Sequence, residues 1–245
     1  REYMHSLLRV FIPVVALMGV VCGLAALEPD LGAAVVIACI MVGIVFLGGL
    51  NLKIIAVIVG VCLACVLAAI WFAPWRVARV LAYLDPWDAV NVQGKAYQLS
   101  HSLIAFGRGE WFGVGLGASV EKLSYLPEAH TDFILAVIGE ELGFAGVFGV
   151  MLLFYLLVRR IFAIGRQAVR LERPFSALVA QGVGIWIGVQ VIINGGVATG
   201  MFPTKGLTLP LVSYGGSAIL FVMLGLALVW RVDYENKVLM RGGRV

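Results

Sequence analysis

Charged residues are scarce in this sequence, and their scarcity excludes an ordinary soluble globular protein. Only 13% of the 245 residues are Asp, Glu, Lys or Arg, whereas 62% are hydrophobic. Soluble domains carry about 25% charged residues. The composition therefore predicts an integral membrane protein. The formal net charge of +4 does not indicate nucleic-acid binding, because most cations adjoin the ends of apolar runs, where membrane topology explains them.

Histidine and cysteine are also rare, which limits the metal and nucleophile chemistry that the chain can support. The sequence has three histidines and four cysteines. Cys62 and Cys65 form a CxxC, but no second pair or histidine lies nearby, so small buried hydrophobes are the expected role. One histidine per neighbourhood supports neither a Ser-His-Asp arrangement nor a zinc site at His130-Thr131-Asp132. All the cysteines lie inside apolar runs: Cys22, Cys39, Cys62 and Cys65.

Long apolar runs, by contrast, are abundant. A spanning helix needs roughly 20 apolar residues, and the predicted spans are 10–27, 31–50, 53–73, 133–158, 176–200 and 210–230. The sequence therefore predicts an all-α polytopic membrane protein with six spans. A long loop, 74–132, separates the third span from the fourth. Its segments, such as YQLSHSLIAF, have apolar residues at helical spacing and predict amphipathic helices in the membrane interface.

Arginines set the predicted orientation. The segment 159–175, predicted as a loop, carries five arginines against the single acid Glu172. The positive-inside rule makes this segment cytoplasmic, and alternation then places both ends of this chain inside. The same alternation places the loop 74–132, the segment 201–209 and Glu28-Pro29-Asp30 on the outer side. We therefore expect any joint polar site on the outer face.

The acids and amides near the later spans leave alternatives open. Asp132, where the fourth span begins, is either a helix N-cap that accepts a backbone N–H or a catalytic base, whose proton affinity burial would raise. At about 100° per residue, at most one of Glu140 and Glu141 shares its cavity, and Glu141 is expected to form a structural pair. Gln190 and Asn194, one turn apart, are either interhelical hydrogen-bonding groups or part of a cavity wall.

Cations and glycines on the predicted outer side are candidates for anion binding. Lys205 lies beside the segment 213–217, SYGGS, and such glycine-bearing segments expose backbone N–H groups that suit an anion. A mixed solvated surface is the alternative. Gly113, Gly115 and Gly117 form a GxGxG, but no strand precedes it, so we reject a nucleotide site. The predicted outer cations are Arg76, Arg79, Lys95, Arg108, Lys122 and Lys205.

Two stretches resemble the SEDS family (shape, elongation, division and sporulation). They are YQLSHSLIAFGRGEWFGVGLGASVEKLSYLPEAHTDFILAVIGEELG and PTKGLTLPLVSYGGS. YLPEAHTDF with KGLTLPL is more similar to the cell-division branch than to the rod-elongation branch. The resemblance covers essentially the whole chain, including EPDLG, although Glu28 replaces the usual Gln and Ala218 replaces a final Ser. The family usually has ten spans, and the six here match the fifth to the tenth, so the first four are expected to be missing.

The resemblance implies a peptidoglycan glycosyltransferase that polymerises lipid II at the outer face of the bacterial cytoplasmic membrane, at the division septum. It implies Asp132 as the essential acid and a divalent cation, Mg²⁺ or Mn²⁺. It also implies a class B penicillin-binding protein as the transpeptidase partner, with other division proteins. Further candidates for the substrate site are His130, Ser213, Gly215 and Gly216.

One carboxylate suffices for this chemistry. Glycosidases use two, but a pyrophosphate leaves without a proton. Asp132 is expected to deprotonate the acceptor hydroxyl in a single inverting displacement, or alternatively to hold the metal. Among the cations, Arg76, Arg79 and Lys205 are favoured for the pyrophosphate. The rival hypotheses are a lipid II flippase or transporter and a non-catalytic scaffold. Polymerisation is favoured because the inner segments offer arginines but no glycine-and-acid group.

Overall fold

The computed structural model describes residues 13, 15–25, 28 and 30–243, and every regular element in these residues is helical. This confirms the predicted all-α class. The α-helices are α1 Val15–Ala25, α2 Leu31–Leu47, α3 Leu52–Trp71, α4 Pro74–Leu84, α5 Ala89–Val92, α6 Tyr97–Gly109, α7 Ile134–Arg170, α8 Pro174–Ala198 and α9 Gly216–Met240, and Glu121–Tyr125 is a short π-helix.

Several of these helices suit a membrane. Within the described residues, α3, α7, α8 and α9 are long and apolar enough to cross one, while α1 and α2 are apolar but shorter. The chain is therefore a multi-pass membrane protein. The predicted first span, 10–27, lies partly outside the described residues, so the count of six spans stays a prediction. The long segment 74–132 contains α4, α5 and α6, as expected of a loop with helices of its own.

Two boundaries differ from those predicted. The segment 159–175 is not a loop, because α7 continues to Arg170 and only residues 171–173 connect it to α8. A helix need not end where the bilayer ends, and arginine is a good helix former. Pro174 stops the run and begins α8 at a position that tolerates proline. In addition, α9 begins at Gly216 rather than at 210, because residues 206–215 pack as a non-helical segment.

The chain divides into two compact units, residues 1–69 and 70–245. The first unit contains α1, α2 and most of α3. Asp30 caps α2, since its carboxylate accepts a hydrogen bond of 3.0 Å from the N–H of Ala33. Only Ile55 of α3 is buried, as expected of a helix that meets lipid. Pro29 of the predicted outer turn lies outside the described residues.

The second unit is built around α7, α8 and α9. Its core includes Leu135, Ile161, Ile187, Val222 and Val229, all nearly inaccessible to solvent. Small residues let the helices approach closely. A Cβ at Gly184 would lie 3.1 Å from the side chains of Ile161 and Phe162.

Ion pairs join the ends of these helices away from Asp132. Two acids of α9, Asp233 and Glu235, are largely buried and each receives two cations. These cations come from α7, from the α7–α8 connection and from α9 itself. The interactions fix the relative height of α7 and α9. The pairs are Arg160–Asp233 (3.3 Å), Lys237–Asp233 (2.6 Å), Arg231–Glu235 (2.7 Å) and Arg173–Glu235.

Helix α7 is broken at Gly143, whose φ of 66° and ψ of −164° are not helical. A break frees main-chain groups that must find other partners. The carbonyls of Glu140 and Glu141 accept hydrogen bonds from Val114 and Gly115, at 2.9 and 3.0 Å. The N–H groups of Phe144 and Ala145 donate to Glu110 and Trp111, at 2.9 and 3.1 Å. The segment 110–115 therefore supplies the hydrogen bonds that the break removes.

The GxGxG motif has a structural role here. The N–H groups of Val114 and Gly115 can reach the break only because Gly113 has no side chain: a Cβ there would lie 2.1 Å from the carbonyl oxygen of Glu141. Gly113 also has a φ of 79°, which glycine adopts at no steric cost.

Two glycines of α6 provide a matched test of this close packing. A Cβ at Gly109 would lie 1.8 Å from the carbonyl oxygen of Gly139, whereas a Cβ at Gly107 would meet nothing within 4 Å. We expect Gly109→Ala to lower the free energy of unfolding by about 3 kcal/mol or more, because main chain cannot yield as a side chain can. Gly107→Ala should be neutral or stabilise by up to about 1 kcal/mol.

Thermal unfolding of the full-length protein in detergent measures both variants. A Gly109→Ala protein as stable as Gly107→Ala would contradict the close approach of α6 to α7.

Candidate active site at the start of helix α7

A tight turn places Asp132 just before α7. The hydroxyl of Thr131 donates to the carboxylate of Glu128 at 2.6 Å, and the N–H of Phe133 donates to the carbonyl of Glu128 at 3.2 Å. The N-cap residue of α7 is Phe133, so the N-cap interpretation of Asp132 is wrong. The turn, rather than the helix end, determines where Asp132 lies. Its side chain is half-buried, neither sealed from water nor fully open.

Asn194 of α8 holds this turn against the segment 205–209, and Gln190 of the same helix binds that segment. The buried side-chain NH₂ of Asn194 donates to the carbonyls of Asp132 (2.8 Å) and Leu207 (2.6 Å). One turn earlier, the NH₂ of Gln190 donates to the carbonyl of Thr208 at 3.0 Å. Both amides form hydrogen bonds, but their acceptors are the turn at Asp132 and the non-helical residues 207 and 208, so the interhelical interpretation is wrong. Asn194 therefore fixes the main chain of Asp132 relative to that of Leu207.

The segment before α9 completes this clamp. The buried hydroxyl of Ser213 donates to the carbonyl of Thr131 and accepts from the N–H of Leu209 at 2.7 Å. The N–H of Tyr214 donates to the carbonyl of His130 at 2.8 Å. Ser213, predicted to bind substrate, thus uses its hydroxyl within the protein. Motifs about 80 residues apart, such as Thr131 and Ser213, meet in one site.

The glycine after Lys205 lies beside the carboxylate. A Cβ at Gly206 would come within 3.2 Å of Oδ2 of Asp132. Gly206 is exposed and Lys205 is half-buried. The main chain at Gly206 and the carboxylate of Asp132 therefore lie side by side. A side chain at 206 would narrow the approach to Oδ2.

The other predicted glycines and His130 lie nearby with different surroundings. Gly215 has an extended backbone and precedes α9, and a Cβ on it would lie 3.8 Å from Cγ2 of Thr208. A Cβ on Gly216 would meet nothing within 4 Å. Gly216 and the side chain of His130 are exposed. Substrate binding by these residues stays a prediction.

Two of the predicted cations bind acids of α7. Arg108 contacts Glu140 at 2.9 Å, and Lys122 contacts Glu141 at 2.5 Å. The predicted structural pairing of Glu141 is confirmed. Arg108 and Lys122 therefore serve to hold the segment 108–122 on α7, which weakens the case that they bind pyrophosphate. Lys95 is exposed, after α5.

Arg76 and Arg79 lie on α4, which a hydrogen bond connects to the segment that follows α8. Their guanidinium carbons lie 4.8 and 5.6 Å from the ring centre of Trp75, within cation–π range. The hydroxyl of Tyr83 donates to the carbonyl of Met201 at 2.8 Å. This hydrogen bond brings α4 next to the connection that leads to Lys205. A role for these arginines in binding pyrophosphate stays a prediction.

Glu140 is a residue whose importance sequence reasoning missed. Its side chain is fully buried and accepts hydrogen bonds from the hydroxyl of Ser119 (2.6 Å) and the N–H groups of Val120 (3.1 Å) and Glu121 (3.3 Å), besides Arg108. One carboxylate thus organises the chain that leads into the Asp132 turn. An acid within an apolar span was the available signal, but its partners lie about 20 residues away in sequence.

A divalent ion can be tested against the donor groups present. No cluster of three or more His, Cys, Asp or Glu side chains occurs within residues 13–243 as far as they are described. Mg²⁺ is commonly held by one or two carboxylates with substrate phosphates and water. In that mode Asp132 would be the single protein carboxylate, and the pyrophosphate of a substrate would supply the other ligands. Metal binding stays a prediction.

Curated relatives match the whole chain. A protein of Burkholderia thailandensis named "Probable peptidoglycan glycosyltransferase FtsW" is 62% identical over 245 residues, which cover 100% of this chain and 53% of that protein. A protein of Thiomonas intermedia with the same name is 58% identical over 245 residues, covering 100% of this chain and 60% of the relative. The chain therefore spans less than two thirds of the length of these relatives.

Solved structures share the fold. A structure described as "Structural coordination of polymerization and crosslinking by a peptidoglycan synthase complex" matches with a TM-score of 0.72 and 32% identity, over 92% of this chain and 62% of that chain. The Thermus thermophilus rod shape determining protein RodA matches with a TM-score of 0.59 and 29% identity, over 92% of this chain and 56% of that chain.

The family model described as FTSW_RODA_SPOVE, cell cycle protein, matches residues 1–238. This match, the relatives named FtsW and the likeness to RodA agree with the resemblance in the HTD and KGLTLP segments. The chain belongs to this family of cell cycle proteins, the SEDS family, and matches members named FtsW at 58–62% identity.

Proposed function

We propose that this chain carries the polymerising site of a peptidoglycan glycosyltransferase that joins lipid II units into glycan strands. One observation carries the proposal: the turn with Asp132 is clamped to the segment 205–214 by Asn194 and Ser213, which sets a half-buried carboxylate beside Gly206. The names of the relatives support the same activity. The relatives' names describe whole proteins, and this chain spans 53% of the length of the first of them.

The geometry suits Asp132 as a general base. Its main chain is fixed by the hydrogen bond from Asn194, so the carboxylate has a defined position without being sealed from a substrate. In the proposed step an acceptor hydroxyl oxygen forms a bond to the anomeric carbon of the donor, and the bond from that carbon to the pyrophosphate oxygen breaks. The hydroxyl proton passes to Asp132, and the electron pair leaves with the pyrophosphate. The configuration at the anomeric carbon inverts.

Positive charge offsets the charge that develops on the pyrophosphate. Lys205 is adjacent to Gly206, and α4 brings Arg76 and Arg79 towards the same connection through the Tyr83–Met201 hydrogen bond. We propose these three cations as the pyrophosphate ligands. In the alternative role, Asp132 would hold a divalent ion, Mg²⁺ or Mn²⁺, with the phosphates, and that ion would add Lewis-acid stabilisation of the same charge.

We further propose that the site opens on the outer face of the cytoplasmic membrane, with both ends of this chain inside. The arginines that continue α7 to Arg170 support this orientation. The segment 74–132, proposed to lie on the outer side, has exposed aromatic residues that suit a membrane interface: Trp87, Trp111 and Phe112. A class B penicillin-binding protein as transpeptidase partner, other division proteins and a septal location are proposed with it.

A purified system tests the function directly. Full-length protein is given labelled lipid II and Mg²⁺ or Mn²⁺, with a β-lactam present to block transpeptidation, and products are separated by size. We expect glycan polymer, and its loss when a chelator is added. Movement of lipid II across vesicles without polymer would make the protein a transporter. Binding of a transpeptidase with neither activity would make it a scaffold.

A further inference from the structure

Three arginines form a single stripe on the exposed surface of α7. From Arg159, residue 166 lies about 20° to one side and residue 170 about 20° to the other, since the helix has 3.6 residues per turn. Arg159, Arg166 and Arg170 are all exposed. Within the described residues none of them has an ion-pair partner. The stripe therefore presents uncompensated charge to the surroundings.

The neighbouring cations differ sharply from the stripe. Arg160, about 100° around the helix from Arg159, binds Asp233 of α9, and Arg173 binds Glu235. Cations that face the other helices are thus neutralised by buried acids. The stripe faces away from them, and no acid of the described residues pairs with it.

The same face of α7 is apolar towards the middle of the helix. Phe148, Leu152 and Tyr155 lie within about 40° of the stripe, and their side chains are 57%, 43% and 61% exposed. Exposed apolar side chains on a membrane helix suit contact with acyl chains. One continuous face therefore runs from apolar side chains to arginines, matching the order from acyl chain to headgroup in a lipid.

The height of the membrane surface can be placed from α9. Trp230 and Tyr234 are exposed, at 77% and 58%, and such residues mark the membrane–water interface. They flank Asp233, which pairs with Arg160, so the interface on α7 lies near residues 155–160. Arg159 is then at headgroup level, with Arg166 about 10 Å and Arg170 about 16 Å further along the helix axis.

The side chains of Arg166 and Arg170 point back towards the lipid, because of the direction that side chains take on a helix. Side chains of an α-helix tilt towards its N-terminus, which for α7 means towards the bilayer. The headgroup layer adds roughly 5–8 Å to each side of the hydrocarbon core. Arg166 can reach it with its long side chain, and Arg170 remains within about one Debye length at physiological salt.

We propose that this face of α7 is a binding site for an anionic phospholipid, whose phosphate is held by Arg159 and Arg166 with support from Arg170. The acyl chains would lie along Phe148, Leu152 and Tyr155. An acidic protein segment would satisfy the charges but not explain the apolar continuation. The proposal depends on the chain being a membrane protein and not on its catalytic activity.

Lipid binding to the full-length protein tests the site. Apparent affinities for phosphatidylglycerol and phosphatidylcholine are measured by native mass spectrometry in detergent, for the parent protein and for R159Q/R166Q/R170Q. A basic residue near an anionic lipid surface contributes about fivefold, so we expect a loss of about a hundredfold for phosphatidylglycerol. Phosphatidylcholine binding should stay unchanged. The charge-preserving R159K/R166K/R170K should remain within about fivefold of the parent.

A single-residue comparison separates a site from general surface charge. R166Q should lose about fivefold, whereas R241Q should bind as the parent does, because exposed Arg241 lies beyond the end of α9 and off the stripe. Equal losses in the two variants would overturn the site. So would unchanged phosphatidylglycerol binding by the triple variant, whether because other segments of the full-length protein cover this face or because an acidic protein occupies it.

Discussion

Replacing Asp132 by Asn in the full-length protein is expected to lower the rate of glycan polymerisation by about 10²–10⁴-fold. Asn keeps the size of the side chain, and the side-chain amide of Asn194 donates to the main-chain carbonyl of residue 132, which the substitution leaves in place, so the turn should persist. What the variant loses is the carboxylate that accepts the proton. Initial rates with labelled lipid II, at saturating divalent ion, measure the effect.

Glu172→Gln provides the matched control. Glu172 is an exposed carboxylate in the connection between α7 and α8, at the opposite end of α7 from Asp132. Its neutralisation should leave the rate within about twofold, because it lies far from the reacting atoms. Titrating the divalent ion distinguishes the two roles of Asp132. If it is a base, added ion does not restore the rate. If it is a metal ligand, the variant binds the ion more weakly, and a higher ion concentration partly restores the rate. Polymerisation by Asp132→Asn at nearly the parent rate would contradict both roles of Asp132.

Replacing Glu140 by Ala is expected to destabilise the protein by about 3 kcal/mol or more, because each buried donor left without its acceptor costs about 1–3 kcal/mol. The change removes the acceptor of three hydrogen bonds, from Ser119, Val120 and Glu121. It also leaves Arg108 without its carboxylate. Thermal unfolding in detergent should show the loss, and proteolysis should show a more accessible segment 115–125.

The adjacent Glu141 is the natural comparison. The side chain of Glu141 is 14% accessible, against 0% for that of Glu140. Solvent therefore screens the pair of Glu141 with Lys122, and Glu141→Ala should cost much less, about 1 kcal/mol. Equal destabilisation by the two substitutions would mean that the segment 108–122 is held by the total charge of α7. It would contradict the assignment of Glu140 as the organising acid.

Much of the site could be named from sequence but not assembled. Asp132, Lys205 and Ser213 stand out as polar residues among apolar runs, and their positions near predicted helix ends are visible. The sequence does not show that the hydroxyl of Ser213 forms hydrogen bonds with the main chain of Thr131 and Leu209. A hydrogen bond between residues 82 apart depends on how helices pack, whereas local patterns report only the nearest few positions.

The misplaced boundaries have the same origin. Hydropathy ended the fourth span at Arg159, because arginine is costly inside hydrocarbon. The helix continues to Arg170 because nothing local breaks it, and Arg160 is neutralised by Asp233 on another helix. The N-cap interpretation of Asp132 failed likewise, since the turn closed by Glu128 moves the N-cap to Phe133.

By itself the sequence determined that this is an all-helical membrane protein, because composition and apolar run length reflect the solvent in which each segment folds. The resemblance of its motifs indicated the SEDS family. Only the tertiary structure decided that Asn194 joins Asp132 to Leu207, that Glu140 holds the segment 119–121, and that Gly113 lets the main chain close the break in α7. These contacts depend on the crossing of α6, α7 and α8. Their specificity comes from buried polar groups that have no water to bind, so each must meet a partner brought from a distant part of the chain.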